Sequence, residues 1–203
     1  MKLKICGLRE PDNIEALLPL RPDYLGFIFY VRSSRYAGRH LDPFFARQIE
    51  GPKKVGVFVD EDRFQIEETV ETYGLDLVQL HGQEPPKLCR DLRQQGVQVI
   101  KVFSVGEAFD FGQLGAYEPH VDYFLFDTKG KLPGGNGYAF DWRLLANYPS
   151  ETPFFLSGGI GPAHRETVAE LELAQLHGLD VNSKFEVRPG HKDVAKLQAF
   201  WSM

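Results

Sequence analysis

Apolar residues recur along the chain in eight short runs that are rich in β-branched and aromatic side chains, with more polar segments between them. Runs of this length, bounded by Gly, Pro, Asn and Asp, are typical of buried β-strands. The predicted strands are Leu3–Cys6, Tyr24–Phe29, Lys54–Val59, Leu75–Leu80, Val97–Phe103, Tyr123–Asp127, Pro153–Ser157 and Leu179–Val181.

Amphipathic spacing predicts helices between several of these strands, most clearly at Asp42–Ile49, Asp62–Tyr73 and Pro85–Gln95. Strands that alternate with helices indicate parallel βαβ units. Eight such units predict an α/β fold with one closed parallel sheet, the (β/α)8 TIM barrel. No linker or charge run divides the chain, so residues 1–203 are predicted to be one catalytic domain. The segment from Val102 to Tyr123 has a sequence that forms helices poorly, so we expect an irregular connection between its two strands.

Composition and charge limit the classes of partner and the location that we expect for this chain. Hydrophobic residues make up 43% of the 203 residues and the net charge is −5, so a general attraction to nucleic acid or anionic membrane is not expected. No apolar stretch approaches the length of a membrane span. The chain runs from Met1 directly into a core strand, and we expect no leader, a cytoplasmic location and no disulfide between its two cysteines.

Unusual polar and glycine residues gather directly after the predicted strands. In a parallel barrel these positions form the C-terminal rim, where barrel enzymes carry their active sites. The clusters are Cys6 and Gly7, Ser33 to Arg35, His81 and Gly82, Asp127 and Thr128, Ser157 to Gly159, and Asn182 and Ser183. The pattern therefore predicts a small-molecule site on this rim.

Cys6 and Asp127 are the candidate base and acid. Alternation along a strand puts Lys4 and Cys6 on one face, and a nearby ammonium favours the thiolate that a base requires. Asp127 ends a strand apolar enough to be buried, and partial burial favours the protonated carboxyl of a general acid. The alternatives are a buried structural cysteine, as Cys89 is expected to be, and a carboxylate that caps a turn or pairs with Lys129.

Other rim residues are candidate anchors for an anionic ligand. Arg35 can grip a carboxylate through two parallel hydrogen bonds, although a solvated loop arginine is the alternative. The loops at Gly158 and Gly159, and at Asn182 and Ser183, follow the last two strands, where barrels often bind phosphate; tight turns are the alternative. A glycine-rich segment that includes Gly135 is predicted to close over the ligand, or else to be a connector.

No cofactor or metal site is indicated by the sequence. The six histidines show no helical zinc spacing and no cysteine–histidine cluster. His81 alone follows a strand on the predicted rim, where a Cys6–His81 dyad is conceivable but not favoured.

These motifs together resemble the phosphoribosylanthranilate isomerases of tryptophan biosynthesis along nearly the whole chain. The matching segments are Lys4 to Gly7, Gly26 to Phe29, Ser34 to Tyr36, Val55 to Phe58, Val78 to Gly82, Phe126 and Asp127, Gly134 to Gly137 with Phe140 to Trp142, Ser157 to Ile160, Leu179 to Ser183, and Pro189 to Asp193.

The resemblance implies an Amadori rearrangement of an aminoaldose to an aminoketose, without a cofactor. Asp127 is then the acid that protonates the ring oxygen, Cys6 the base at C2′, and Arg35 the anthranilate carboxylate anchor. Phosphate contacts are implied for Gly158, Gly159, Asn182 and Ser183, and rim contacts for His81, Gly135 and Asp180. The chain departs from the family pattern at Ser33-Ser34, where Ser-Pro is usual, at Asn136, where threonine is common, and at Lys184, where glycine is common.

Three other functions remain open at this level. Another phosphosugar barrel enzyme would want a catalytic lysine or a metal site at the strand ends. A non-catalytic barrel would bind phosphorylated metabolites without turnover, and a cysteine hydrolase would form a covalent intermediate. The outer helices are too weakly patterned to distinguish a monomer from a homodimer.

Overall fold

Eight parallel strands form a closed barrel in the computed structural model of the chain, which describes residues 1–128 and 141–202. Each strand pairs with the next in sequence, and β8 pairs with β1 to close the sheet. The strands are β1 (Lys2–Ile5), β2 (Tyr24–Ile28), β3 (Lys53–Phe58), β4 (Leu77–Leu80), β5 (Gln98–Val105), β6 (Tyr123–Thr128), β7 (Phe154–Leu156) and β8 (Leu176–Val181). The predicted barrel is confirmed.

Aspartate side chains cap the first turns of three of the α-helices on the outside of the barrel. The Asp42 carboxylate accepts a hydrogen bond from the Phe45 amide and Asp62 accepts one from the Phe64 amide, so each satisfies one of the free N–H groups at a helix start. The α-helices are α1 (Pro11–Leu17), α2 (Pro43–Gln48), α3 (Arg63–Tyr73), α4 (Pro86–Gln94), α5 (Arg165–Ala169) and α6 (Val194–Trp201).

The crossover between β5 and β6 contains no α-helix, as its sequence predicts. Two short 3₁₀ helices, Phe111–Ala116 and Glu118–His120, make this connection. Gly112 and Gly115 weaken the first of them, and Pro119 lacks the amide that a longer helix needs. A third 3₁₀ helix, Trp142–Asn147, precedes β7. Within the described residues, no helix is long and apolar enough to cross a bilayer.

The barrel interior changes from apolar to polar along its axis. Toward the N-terminal ends of the strands, aromatic and aliphatic side chains fill the barrel, among them Tyr24, Leu125 and Phe155. Toward the C-terminal ends the buried inward-facing side chains are polar and include Lys4, Gln79, Asp127 and Asp180. Buried polar groups are costly unless they have partners or a ligand to bind, which places the site at this end.

A short antiparallel hairpin follows β8 and was not predicted from the sequence. Its strands are β9 (Glu186–Arg188) and β10 (His191–Lys192), which turn at Gly190 with a positive φ of 84°. The Asn13 side chain bonds both the amide and the carbonyl of Lys192, at 2.7 and 2.9 Å. The hairpin is thereby fixed against α1 and brings two further charged side chains to the barrel mouth.

Candidate active site

A cavity of about 450 Å³ opens at the C-terminal end of the barrel. Nine of the ten residues predicted for the site line it, and the tenth, Gly135, lies outside the described residues. The nine are Cys6, Arg35, His81, Asp127, Gly158, Gly159, Asp180, Asn182 and Ser183. Among residues 1–128 and 141–202, no group of three His, Cys, Asp or Glu side chains is arranged to hold a metal ion.

Cys6 lies buried at the end of β1, next to the ammonium group of Lys4. Gly26 on β2 makes room for this pair, because a Cβ atom there would lie 2.8 Å from the Cys6 Sγ and 3.1 Å from the Lys4 Nζ. Burial raises the pKa of the Cys6 thiol, although Lys4 and Lys192 act in the opposite direction. The two cations therefore offset only part of the burial effect, and Lys4 acts on the thiol in the predicted direction.

Lys4 belongs to a buried chain of polar groups that crosses from β1 to β7. Its Nζ donates to the Asp180 Oδ1 at 2.7 Å, and the Ser157 hydroxyl donates to the Asp180 Oδ2 at 3.2 Å. Burial disfavours the charged ammonium, but Asp180 and Cys6 outweigh it and raise the pKa of Lys4. Lys4 consequently keeps its positive charge beside the thiol at neutral pH.

Asp127 faces the cavity from the end of β6. Its Oδ1 accepts the Thr128 amide at 2.8 Å, and its Oδ2 lies 3.4 Å from the His81 Nε2. That separation is an electrostatic contact, longer than a good hydrogen bond. The other ring nitrogen of His81, Nδ1, lies 3.1 Å from the Gln79 Nε2. His81 is therefore associated with the candidate acid.

The loop after β7 approaches the end of β6 closely because it contains two glycines. Gly158 and Gly159 have positive φ angles of 84° and 72°, a region that favours glycine. A Cβ at Gly158 would lie 2.2 Å from the Thr128 Oγ1, so no other residue fits there without displacement. Lys184 does not line the cavity and packs its stem near Gly161, where an added Cβ would lie 3.0 Å from the Lys184 Cβ.

Comparison with known proteins agrees with this geometry. A family model described as N-(5′-phosphoribosyl)anthranilate (PRA) isomerase matches residues 3–203. A protein of that name from Parabacteroides distasonis is 45% identical over 202 residues, which is 98% of this chain and 91% of the relative. One from Phocaeicola vulgatus is 41% identical and covers 98% of this chain and 96% of the relative. The chain belongs to the N-(5′-phosphoribosyl)anthranilate isomerase family.

Solved structures of this isomerase family superpose on the whole barrel. The Thermotoga maritima protein has a TM-score of 0.84 at 32% identity, covering 98% of this chain and 96% of its own. Another, in complex with reduced 1-(o-carboxyphenylamino)-1-deoxyribulose 5-phosphate, has a TM-score of 0.81 at 29% identity, covering 100% and 97%. The ligand of that protein carries a carboxylate at one end and a phosphate at the other.

No role was predicted for Glu186 or Lys192, two residues at the cavity mouth, although Lys192 lies in the matched isomerase motif from Pro189 to Asp193. Arg35 is not a solvated loop arginine, because Glu186 holds it through hydrogen bonds of 2.8 Å to Nε and 2.6 Å to Nη2. Lys192 in turn donates to Glu186 at 2.8 Å and to Asn182 at 2.6 Å. Charged side chains in a short hairpin after the last strand were the available signal.

Proposed function

We propose that Cys6 and Asp127 are the base and the acid with which this chain isomerises N-(5′-phosphoribosyl)anthranilate to 1-(2-carboxyphenylamino)-1-deoxyribulose 5-phosphate in tryptophan biosynthesis. The observation that carries the assignment is their placement. Both buried groups line one cavity, from β1 and β6, and each has its own set of polar partners. An acid and a base held on either side of a bound sugar are what this aldose–ketose conversion requires.

The reaction proceeds in balanced proton transfers. The protonated Asp127 gives its proton to the furanose ring oxygen, the C1′–O bond breaks, and the nitrogen lone pair forms the Schiff base at C1′. The Cys6 thiolate removes the proton from C2′, and the electron pair neutralises the iminium nitrogen to give an enolamine. Tautomerisation, in which C1′ takes up a proton and the C2′ hydroxyl loses one, produces the aminoketose.

Lys4 makes the thiol competent as a base. Because burial raises the pKa of Cys6, the thiolate forms only where a fixed positive charge accompanies it. Lys4 supplies that charge from a position held by Asp180. His81, whose Nε2 lies 3.4 Å from the Asp127 Oδ2, stabilises the carboxylate that remains after proton transfer.

The two ends of the cavity suit the two charged ends of this substrate. Arg35 is the proposed anchor for the anthranilate carboxylate. The backbone at Gly158 and Gly159, with Asn182 and Ser183, is the proposed phosphate site. Anchoring both ends holds C1′ and C2′ in register with the acid and the base. A cover by the segment that includes Gly135, a cytoplasmic location, and a monomeric or homodimeric state remain predictions.

Loss of anthranilate-type substrate fluorescence on turnover tests the proposal. We expect wild-type protein to convert freshly made substrate without added metal or cofactor. Cys6→Ala and Asp127→Asn should each lower the rate by at least roughly a hundredfold. Cys89→Ala, a buried cysteine in α4 outside the cavity, is the matched control and should retain the wild-type rate.

Two results would contradict the proposal at different levels. A Cys6→Ala protein as fast as wild type would leave the isomerisation standing and remove Cys6 as the base. A folded wild-type protein that binds the product analogue but leaves the substrate at its spontaneous rate of decay would favour a non-catalytic binding barrel instead.

A further inference from the structure

Glu186 joins two cations at the mouth of the cavity. Its carboxylate accepts hydrogen bonds from the Arg35 Nε and Nη2, from the Lys192 Nζ and from the Gly190 amide. The side chain of Glu186 is 5% exposed and that of Lys192 is fully buried, whereas Arg35 is 18% exposed and lines the cavity. Glu186 and Lys192 are therefore behind Arg35 as seen from the cavity.

The pairing leaves one edge of Arg35 directed away from Glu186. A guanidinium has five N–H donors in a planar fork, and the Glu186 contacts use its Nε–Nη2 edge. The Nη1–Nη2 edge takes no part in that pair, and it offers two parallel donors to a second carboxylate. Gly7 supports this orientation, because a Cβ there would lie 2.8 Å from the Arg35 Cδ.

Lys192 determines the charge of the group. Glu186 alone would neutralise Arg35, whereas one carboxylate between two cations leaves a net positive charge for an incoming anion. Burial alone would raise the pKa of the Glu186 carboxyl, but Arg35 and Lys192 outweigh burial and lower it. Both hydrogen bonds from the Lys192 ammonium, to Glu186 and Asn182, fix it inside the hairpin.

We propose that Glu186 and Lys192 are the positioning residues that give this site its preference for an ortho-carboxylated arylamine over an uncarboxylated one. Glu186 fixes the plane of Arg35 so that its free edge faces the ligand, and Lys192 keeps the pair cationic. The proposal rests on the function proposed above, in which Arg35 is the carboxylate anchor.

A purely structural role in docking the hairpin is the main rival. Glu10 provides the matched control, because it also anchors the hairpin, through Arg188 and through His191 at 2.7 Å, but contacts neither Arg35 nor Lys192 through a hydrogen bond or ion pair in the described part of the chain. A purely electrostatic role is the second rival. Removing the charge of Glu186 would then strengthen carboxylate binding, whereas loss of positioning weakens it.

The test compares two ligands by calorimetry. One is reduced 1-(o-carboxyphenylamino)-1-deoxyribulose 5-phosphate, and the other is its phenylamino counterpart without the carboxyl group. The measured quantity is the ratio of their Kd values for each variant. We expect Glu186→Gln and Lys192→Met each to shrink the wild-type preference for the carboxylated ligand by roughly tenfold or more, and in Glu186→Gln phenylamino binding should stay unchanged.

Glu186→Asp separates geometry from charge with the least risk to folding. It keeps the negative charge but shortens the side chain by one methylene, so the preference should fall here too. An unchanged or larger preference in Glu186→Gln and Glu186→Asp overturns the proposal, and so does an equal loss in Glu10→Gln. Arg35→Met should abolish the preference; if it does not, the carboxylate anchor of the proposed function is itself wrong.

Discussion

Gly26 provides a test of the Cys6–Lys4 pair that leaves both of those residues in place. It lies within β2 and faces the barrel interior between them. In Gly26→Ala the new Cβ would lie 2.8 Å from the Cys6 Sγ, 3.0 Å from the Cys6 Cα and 3.1 Å from the Lys4 Nζ. The thiol must therefore retreat by roughly half an ångström or more before the contact becomes an ordinary one.

The expected loss follows from that displacement. At an effective dielectric constant of about 20, two unit charges about 4 Å apart interact by about 4 kcal/mol, and an extra ångström removes about 0.8 kcal/mol. Misplacement of a reacting group by about 1 Å costs up to about a hundredfold in rate. We expect kcat to fall by roughly tenfold to a hundredfold in Gly26→Ala, with an overpacking cost of about 1–3 kcal/mol in stability.

The assay measures kcat and KM by substrate fluorescence, together with thermal unfolding. Gly115→Ala is the matched control, because a Cβ there meets no other atom within 4 Å, and it should behave as wild type. KM should change little in Gly26→Ala because both anchors lie elsewhere in the cavity. A folded Gly26→Ala protein with the wild-type kcat would refute the reasoning, since the base would then tolerate a displaced thiol.

Three further predictions follow from buried charges. Lys4→Met removes the ammonium beside Cys6, so the pKa of the thiol should rise further, and alkylation by iodoacetamide should shift to higher pH than in wild type. Lys101→Met leaves the buried Glu84 carboxylate, which Lys101 contacts at 2.8 Å, without its ion-pair partner. This change should lower the free energy of unfolding by about 3–5 kcal/mol and Tm by roughly 10 °C. A Tm within about 2 °C of wild type would contradict this prediction. Burial lowers the pKa of Lys192 to about 8, and the charged or titratable groups that act on it are Glu186, Cys6 and Arg35. Because protonated Lys192 favours the carboxylated ligand, the calorimetric affinity for that ligand should fall as the pH rises through about 8. The affinity of Lys192→Met should show no such fall.

Strand ends were the part of the site that the sequence could predict. A parallel barrel places the residue after every strand on one rim, so Cys6 after β1 and Asp127 at the end of β6 reach the same cavity whatever the intervening helices do. The predicted start of the last strand was wrong: β8 begins at Leu176 and not at Leu179, because His177 and Gly178 interrupt the apolar run.

Contacts between distant segments were the part that could not be predicted. Arg35 and Glu186 are 151 residues apart, and nothing in a linear pattern says that their side chains meet. The hairpin that carries Glu186 has strands of three and two residues, too short to show an alternating pattern. The pKa of Cys6 is raised because burial exceeds the effect of Lys4, and that balance depends on three-dimensional burial, not on residue order.

The polar groups around the cavity divide into two sets with different electrostatic surroundings. On the proposed base side, Cys6 lies beside Lys4, which Asp180 holds at 2.7 Å, and the ammonium group favours a negative sulfur while burial opposes it. On the proposed acid side, the Asp127 Oδ2 lies 3.4 Å from the His81 Nε2. Carboxylic acids are much stronger acids than thiols, so equal surroundings would ionise the carboxyl and protonate the sulfur. Unequal electrostatic surroundings on the two sides of one cavity are therefore the physical requirement that this reaction places on the barrel.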